Sequence, residues 1–335
     1  MPSNPKFFNR GDVVFVSTST EEGIAFPPNE LTNLIQYGVL SRAQKLFPVT
    51  IDNLCIMPNG LHMIAVVQNP EHLPAFMGYY KAETSHALNR MIGTRKKTNW
   101  CEGYDSPVIY KSLSKLKSKA AYTLANPAKD SLVELTLQYP GINTLQYLMR
   151  SETEVKIPCL WIPRSHIGRL PNPKPNLREL GVYAEKLRRG AASLKQELTI
   201  SPGAAIRALG FTDDGDIQQA KTSIQRRVAM FEENAAMLRV KEDRTVIGAD
   251  KLIKTQILAP YKPNRQGMKT VVIARKRNRI AFLKRYRNVV KNAREVRKRW
   301  KLGDFSVPYP RGLFGPCMPR LAKAVSTDAA LFFSR

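Results

Sequence analysis

The run Gly-Asp-Val-Val-Phe-Val-Ser at residues 11–17 is β-branched and aromatic and predicts a short strand. Pro27 and Pro28 then lead into Asn29-Glu30 and an apolar-periodic stretch to about Leu40, the pattern of a helix with its start signal. Phe47 to Met57 and Leu61 to Val67 are two further β-rich runs, and the Pro58-Asn59-Gly60 turn between them predicts a hairpin. Beyond Asn69-Pro70-Glu71, Leu73, Phe76, Met77, Tyr80, Thr84, Leu88 and Met91 recur at helical spacing, with Gly93 as the expected stop. A short strand near Trp100 and a helix from about Ser112 to Ala125, ended by Pro127, complete the series. The order strand-helix-strand-strand-helix-strand-helix is close to a ferredoxin-like split βαβ layout, so residues 1–150 are expected to form one α+β head.

After Arg150 the pattern changes. Val155 to Pro163 reads as one strand, and Pro171-Asn172-Pro173-Lys174-Pro175 as a linker. Helical patterning follows over about 176–196 and 201–240, with Gly203 to Gly210 a short helix closed by a glycine. Residues 275–301 hold thirteen basic side chains against the single acid Glu295. Ile280, Phe282, Leu283, Tyr286, Val289, Val290 and Trp300 are interleaved at helical spacing, which predicts a helix docked on one side with a cationic face outward. Residues 151–335 are therefore expected to be largely helical.

Charge sharpens the division. The 335 residues, a length suited to about two domains, carry 53 Lys and Arg against 27 Asp and Glu, a formal net charge of +26. Residues 1–150 contribute 15 basic and 11 acidic side chains and residues 151–335 contribute 38 and 16. A near-neutral head joined to a strongly basic half argues against an ordinary metabolic enzyme and for a polyanionic partner. The four cysteines, Cys55, Cys101, Cys159 and Cys317, form no CxxC pair, which argues against zinc ribbons and disulfide frameworks. No apolar run approaches the roughly 20 residues of a membrane helix, and Met1-Pro2-Ser3-Asn4-Pro5 lacks signal-peptide character. The expectation is a soluble, cytoplasmic, nucleoid-associated protein without membrane partners.

The chemistry-bearing residues of the head are His62, on the strand after the tight turn, and Tyr122 and Asn126, whose i,i+4 spacing puts them on one helical face. A phenol so placed could attack a phosphodiester while imidazole and amide hold a divalent metal. A tyrosine on a helix is more often a core or surface residue than a nucleophile, so the spacing alone does not decide. His72 and His166 read as capping or surface residues, and Tyr80 of the Tyr79-Tyr80 pair falls on the apolar stripe.

Met57-Pro58-Asn59 at the hairpin is followed by Lys81, Thr84 and Asn89-Arg90 on the long helix. Trp100 with Tyr104-Asp105 comes next, then Tyr122 with Asn126-Pro127. In order and spacing this set resembles the single-tyrosine HUH transposases, particularly the branch associated with repetitive extragenic palindromes. The resemblance spans roughly 85 residues and says nothing of the basic half. It implies an HUH-type head in which Tyr122 forms a 5′-phosphotyrosine link to single-stranded or hairpin DNA. His62 would then be the second histidine of the pair and Asn126 an amide ligand to Mg2+ or Mn2+. Lys81, Arg90, Arg95, Lys96, Lys97, Trp100 and Tyr104 are the expected DNA contacts of the head. Arg285, Arg287, Arg294, Arg297 and Arg299 are those of the basic helix.

One position departs from the family pattern: Gly60 stands where the first histidine is expected. Losing one imidazole weakens a magnesium site, and Glu83 or His86 on the neighbouring helix is the available replacement. Three functions stay open: a DNA strand transferase, a domesticated DNA-binding protein without catalysis, and a structural RNA-binding protein. A homodimer is the assembly to be tested.

Overall fold

Alternating apolar residues build the centre of the structure, a computed structural model that describes residues 5–21, 26–172, 174–257 and 270–314. Strand β1 (Val13–Ser19) sends Val14 and Val16 to one face and Val13 and Phe15 to the other. Strands β2 (Thr50–Met57) and β3 (Gly60–Val66) form the expected hairpin, with Met57 opposite Gly60. β3 divides in the same way, with Leu61, Met63 and Ala65 on one face and Ile64 and Val66 on the other. This period of two makes the sheet the middle of three layers.

The first layer holds α1 (Glu30–Leu46) and α2 (His72–Ile92). The Asn29 side chain caps α1 by accepting from Thr32 N, and Gly93 ends α2 in the left-handed region at φ 75°. The opposite layer is led by α3 (Leu113–Lys129), which buries Leu116, Ala120, Ala121, Leu124 and Ala125 against the sheet. The helix continues through Pro127 to Lys129 instead of ending before it. The missing proline N–H removes one bond, but Asp130 N and Leu132 N still close onto Asn126 O and Pro127 O.

The sheet is mixed and seven-stranded, in the order β5-β6-β2-β3-β1-β4-β7. β1 pairs antiparallel with β3 and with β4 (Val108–Ile109), and β2 pairs antiparallel with β3. The strand expected near Trp100 is reduced to an isolated bridge between Trp100 and Thr20. The remaining strands come from the basic half. β5 (Val155–Leu160) is antiparallel to β6 (Lys195–Ile200), β6 joins β2 in parallel through Ile51 and Ile200, and β7 (Val272–Ile273) joins β4. The expected boundary near residue 150 therefore falls within one continuous sheet.

The helix expected over 176–196 is shorter, and a strand takes its C-terminal end. α4 (Leu177–Gly190) stops after fourteen residues, and the Lys-Gln-Glu-Leu-Thr-Ile segment buries alternate residues Leu198 and Ile200 as β6. The 201–240 region divides into α5 (Ala204–Ala208) and α6 (Asp214–Lys241), the latter lying across α3, and a short α7 (Ala249–Lys254) follows. The basic stretch is α8 (Lys276–Lys301), which buries Phe282, Tyr286, Ala293, Val296 and Trp300. Phe282 meets Tyr110 and Phe7, and the Tyr286 hydroxyl donates to Pro5 O at 2.9 Å, so this helix is docked on the head. Among the described residues no helix is long and apolar enough to cross a membrane.

Candidate active site

β3 and α3 bring the chemistry-bearing residues together because each has its own periodicity pointed at the same interface. On β3, the two-residue alternation that sends Ile64 and Val66 towards α3 also sends His62 that way. On α3, Lys119, Tyr122, Asn126 and Lys129 share one face at spacings of three and four. The rings of His62 and Tyr122 meet edge to face with centroids 6.0 Å apart. Phe15 stacks on His62 at 6.0 Å and meets the edge of Tyr122 at 6.3 Å, and Phe231 of α6 flanks Tyr122 at 6.5 Å. Aromatic contacts on several sides therefore position a half-buried tyrosine.

Two ammonium groups lie over the same ring. Lys119 Nζ is 4.7 Å and Lys129 Nζ 4.8 Å from the Tyr122 centroid, and Lys119 also lies 4.6 Å from that of Phe15. Burial lowers the Lys119 pKa and the neighbouring Lys129 charge lowers it further. Burial also works against the Lys129 ammonium, but the hydrogen bond and charge of Asp130, 2.7 Å away, outweigh it and, with a smaller contribution from Tyr122, raise its pKa. Burial, then Lys129 and Lys119, push His62 down to about 4, so its imidazole is neutral near pH 7. The His62 Nδ1 lies 3.2 Å from Ser17 Oγ.

Asn126 is 1% exposed, and neither its Oδ1 nor its Nδ2 has a hydrogen-bond partner. Unpaired buried amide atoms cost about 1–3 kcal/mol each, so pairing with a water or an ion, or a catalytic role, is the expected compensation. Gly60 is closed to any side chain. A Cβ there would stand 2.7 Å from the backbone oxygen of Thr18 on the paired strand β1. The β-strands approach too closely for an imidazole to occupy the position.

These residues do not fit a magnesium or manganese ion. The donors are one imidazole and one carboxamide, both neutral, and the nearby Asp130 is paired with Lys129. Two ammoniums stand where a divalent cation would need anionic oxygen. Among the described residues no group of three His, Cys, Asp or Glu side chains is arranged to hold a metal. The substitution by Glu83 expected from sequence fails because that carboxylate sits in the α1–α2 layer, bound to Arg164 at 2.5–3.1 Å. His86 belongs to the same helix α2, not to the α3 side.

The expected DNA contacts of the head are not gathered around Tyr122. Trp100 is fully buried, stacks on Phe26, and donates its indole N–H to Thr84 Oγ1 at 2.9 Å, so it cannot stack on a base. Lys81 is tied to Cys101 O and Gly103 O at 2.6 Å each, and Arg90 to Ile167 O at 2.7 Å. Lys6 covers the Tyr104 ring, and Lys96 pairs with Glu21 at 3.5 Å. Arg95 and Lys97 are exposed. On α8, Arg287, Arg294 and Arg297 are exposed, whereas Arg285 contacts Asn9 and the Phe7 ring and Arg299 pairs with Asp304. Tyr80 is core, its hydroxyl donating to Gln36 at 2.6 Å. Lys119 and Lys129 escaped the sequence reading although their spacing from Tyr122 on α3 was visible.

No family model and no curated protein matches the chain. Among solved structures, a REP-associated tyrosine transposase bound to a REP hairpin is similar to it. That likeness has 14% sequence identity and a TM-score of 0.39, and covers 44% of this chain and 85% of that one.

Proposed function

We propose that this chain is a DNA-binding protein of the HUH transposase type in which Tyr122 is the nucleophile for single-stranded DNA. One observation carries the reading: a half-buried tyrosine is held edge-on to a neutral histidine beneath two ammonium groups. A phenol attacking a phosphodiester needs fixed orientation and positive charge near the phosphate, and this face supplies both. The ferredoxin-like reading of the head is supported by the strand order β2-β3-β1-β4, antiparallel at each step, with α1 and α2 as crossovers.

In the proposed step the Tyr122 oxygen bonds to phosphorus, the bond from phosphorus to the DNA 3′-oxygen breaks, and the phenolic proton is balanced by protonation of the departing 3′-oxygen. The resulting 5′-phosphotyrosine retains the ester bond energy, so a DNA 3′-hydroxyl can reverse the step without an energy-rich cofactor. α8 supplies the electrostatic hold on the strand, with an affinity that falls steeply as salt rises.

The test is a denaturing gel after incubation of the full chain with a labelled single-stranded hairpin oligonucleotide. Wild type should give a covalent adduct, and Tyr122→Phe should give none while binding the oligonucleotide with nearly unchanged affinity. Equal adduct from the variant overturns the nucleophile assignment. Binding without adduct from wild type selects the second reading, a DNA-binding protein that has lost strand transfer, which the closed position at Gly60 favours.

A further inference from the structure

We infer that Lys119, Lys129, Asn126 and His62 form a phosphate-binding cradle over Tyr122 that takes up a phosphodiester without a divalent cation. The inference rests on the proposed function only in naming single-stranded DNA as the source of that phosphate.

Three independent observations converge on it. The first is charge: two ammoniums lie within 5 Å of one ring centroid, and the carboxylate of Asp130 is paired with Lys129. The Lys129 charge disfavours the Lys119 ammonium, and an anion shared by the two relieves that repulsion. The second is the orphaned carboxamide. Asn126 is enclosed, unpartnered at both polar atoms, and shares the helical face that carries the two lysines. Its Nδ2 can donate to a phosphate oxygen, satisfying an atom left bare in the folded protein. The third is the closed position at Gly60, where the Thr18 backbone leaves no room for a second imidazole. A site that lacks one ligand position, whose one carboxylate is tied to Lys129, and that holds Lys119 as a second lysine is arranged for an anion, with the ammoniums supplying the positive charge that a metal would otherwise bring.

The inference is tested on the full chain with 13C-labelled histidine. Its four histidines, His62, His72, His86 and His166, give four assignable ring signals. Inorganic phosphate is titrated in EDTA at constant ionic strength. The His62 signal is expected to shift saturably while the other three stay in place. In Lys119→Met/Lys129→Met the apparent affinity should fall at least about tenfold, the loss expected when charged hydrogen-bond donors are removed. The three remaining histidine signals and the circular dichroism spectrum report whether the double variant folds. If it does not, Lys119→Met and Lys129→Met are read singly, each with a weaker response.

A His62 signal that responds to phosphate only after Mg2+ is added overturns the cradle, as does an unchanged response in folded lysine variants. Broadening of His62 by micromolar Mn2+ without phosphate does so too, by revealing a metal site. The outcomes separate the two proposals. A phosphate response in EDTA without a covalent DNA adduct from wild type keeps the cradle and removes the strand transferase. An adduct that requires metal, with no response to phosphate in EDTA, does the reverse.

Discussion

Replacing Gly60 with alanine tests whether the first histidine position of the HUH pattern is closed by the fold. In an ordinary strand, exchanging glycine for alanine gains about 0.5–1 kcal/mol because the unfolded chain loses freedom. Here the new Cβ would lie 2.7 Å from Thr18 O. That is roughly 0.7 Å inside a comfortable carbon contact. The strands cannot simply part, because Ser19 is registered opposite Gly60 and Thr20 N donates to Asn59 O at 2.8 Å just beyond it. Overpacking of this kind costs about 1–3 kcal/mol, which exceeds the glycine gain and sets the sign as destabilising. Net of the glycine gain, the middle and upper part of that range leaves about 1–2 kcal/mol, and with an unfolding entropy of about 2.1 cal/mol/K per residue a chain of this length should lose roughly 1–3 °C in Tm. Scanning calorimetry of wild type and Gly60→Ala reads this directly. An alanine variant as stable as wild type, or more so, refutes the closed-strand argument. Gly60→His extends the test: it should be less stable still and gain no Mn2+-stimulated cleavage, and such a gain would restore the metal reading.

Other expectations rest on different parts of the molecule. Changing Arg287, Arg294 and Arg297 together to Gln should weaken binding to all DNA sequences alike and reduce the slope of log affinity against log salt by up to about 3, measured by fluorescence anisotropy; a loss confined to one sequence would refute the electrostatic hold. Asp52 is 4% exposed and accepts from Ala205 N at 2.7 Å, and burial lifts its carboxyl from 3.8 to about 6 against the pull of that N–H and of Lys221. A carboxyl raised in the folded state contributes stability below about pH 4 that is lost as pH rises through about 6, on the order of 3 kcal/mol for this group. Urea melts from pH 4 to 7 should therefore show a smaller fall for Asp52→Asn than for wild type, and parallel curves would refute the assignment.

The local grammar of the head was legible in the sequence. Asn59-Gly60 made the hairpin, Gly93 closed α2, and the i,i+4 pair Tyr122 and Asn126 reached the side of the sheet that His62 faces. What the sequence concealed depends on distant partners. Lys195–Ile200 has only three alternations and gains its identity as a strand by pairing with Val155–Leu160 and Ile51. Trp100 and Lys81 look like contacts for nucleic acid until Phe26 covers the indole and loop carbonyls take up the ammonium. Lys119 and Lys129 were hidden by abundance. In a chain with 53 basic residues, two more at helical spacing carry no signal until the fold sets them over one ring.

The continuous sheet has a consequence for how the chain is made. β2 awaits a partner that leaves the ribosome about 145 residues later, and β4 awaits one about 165 residues later. Contacts of that separation are slow to close. Until then the nascent polypeptide exposes unsatisfied strand edges, and the sheet gains its outer strands only after the residues of β1 to β4 have all been made.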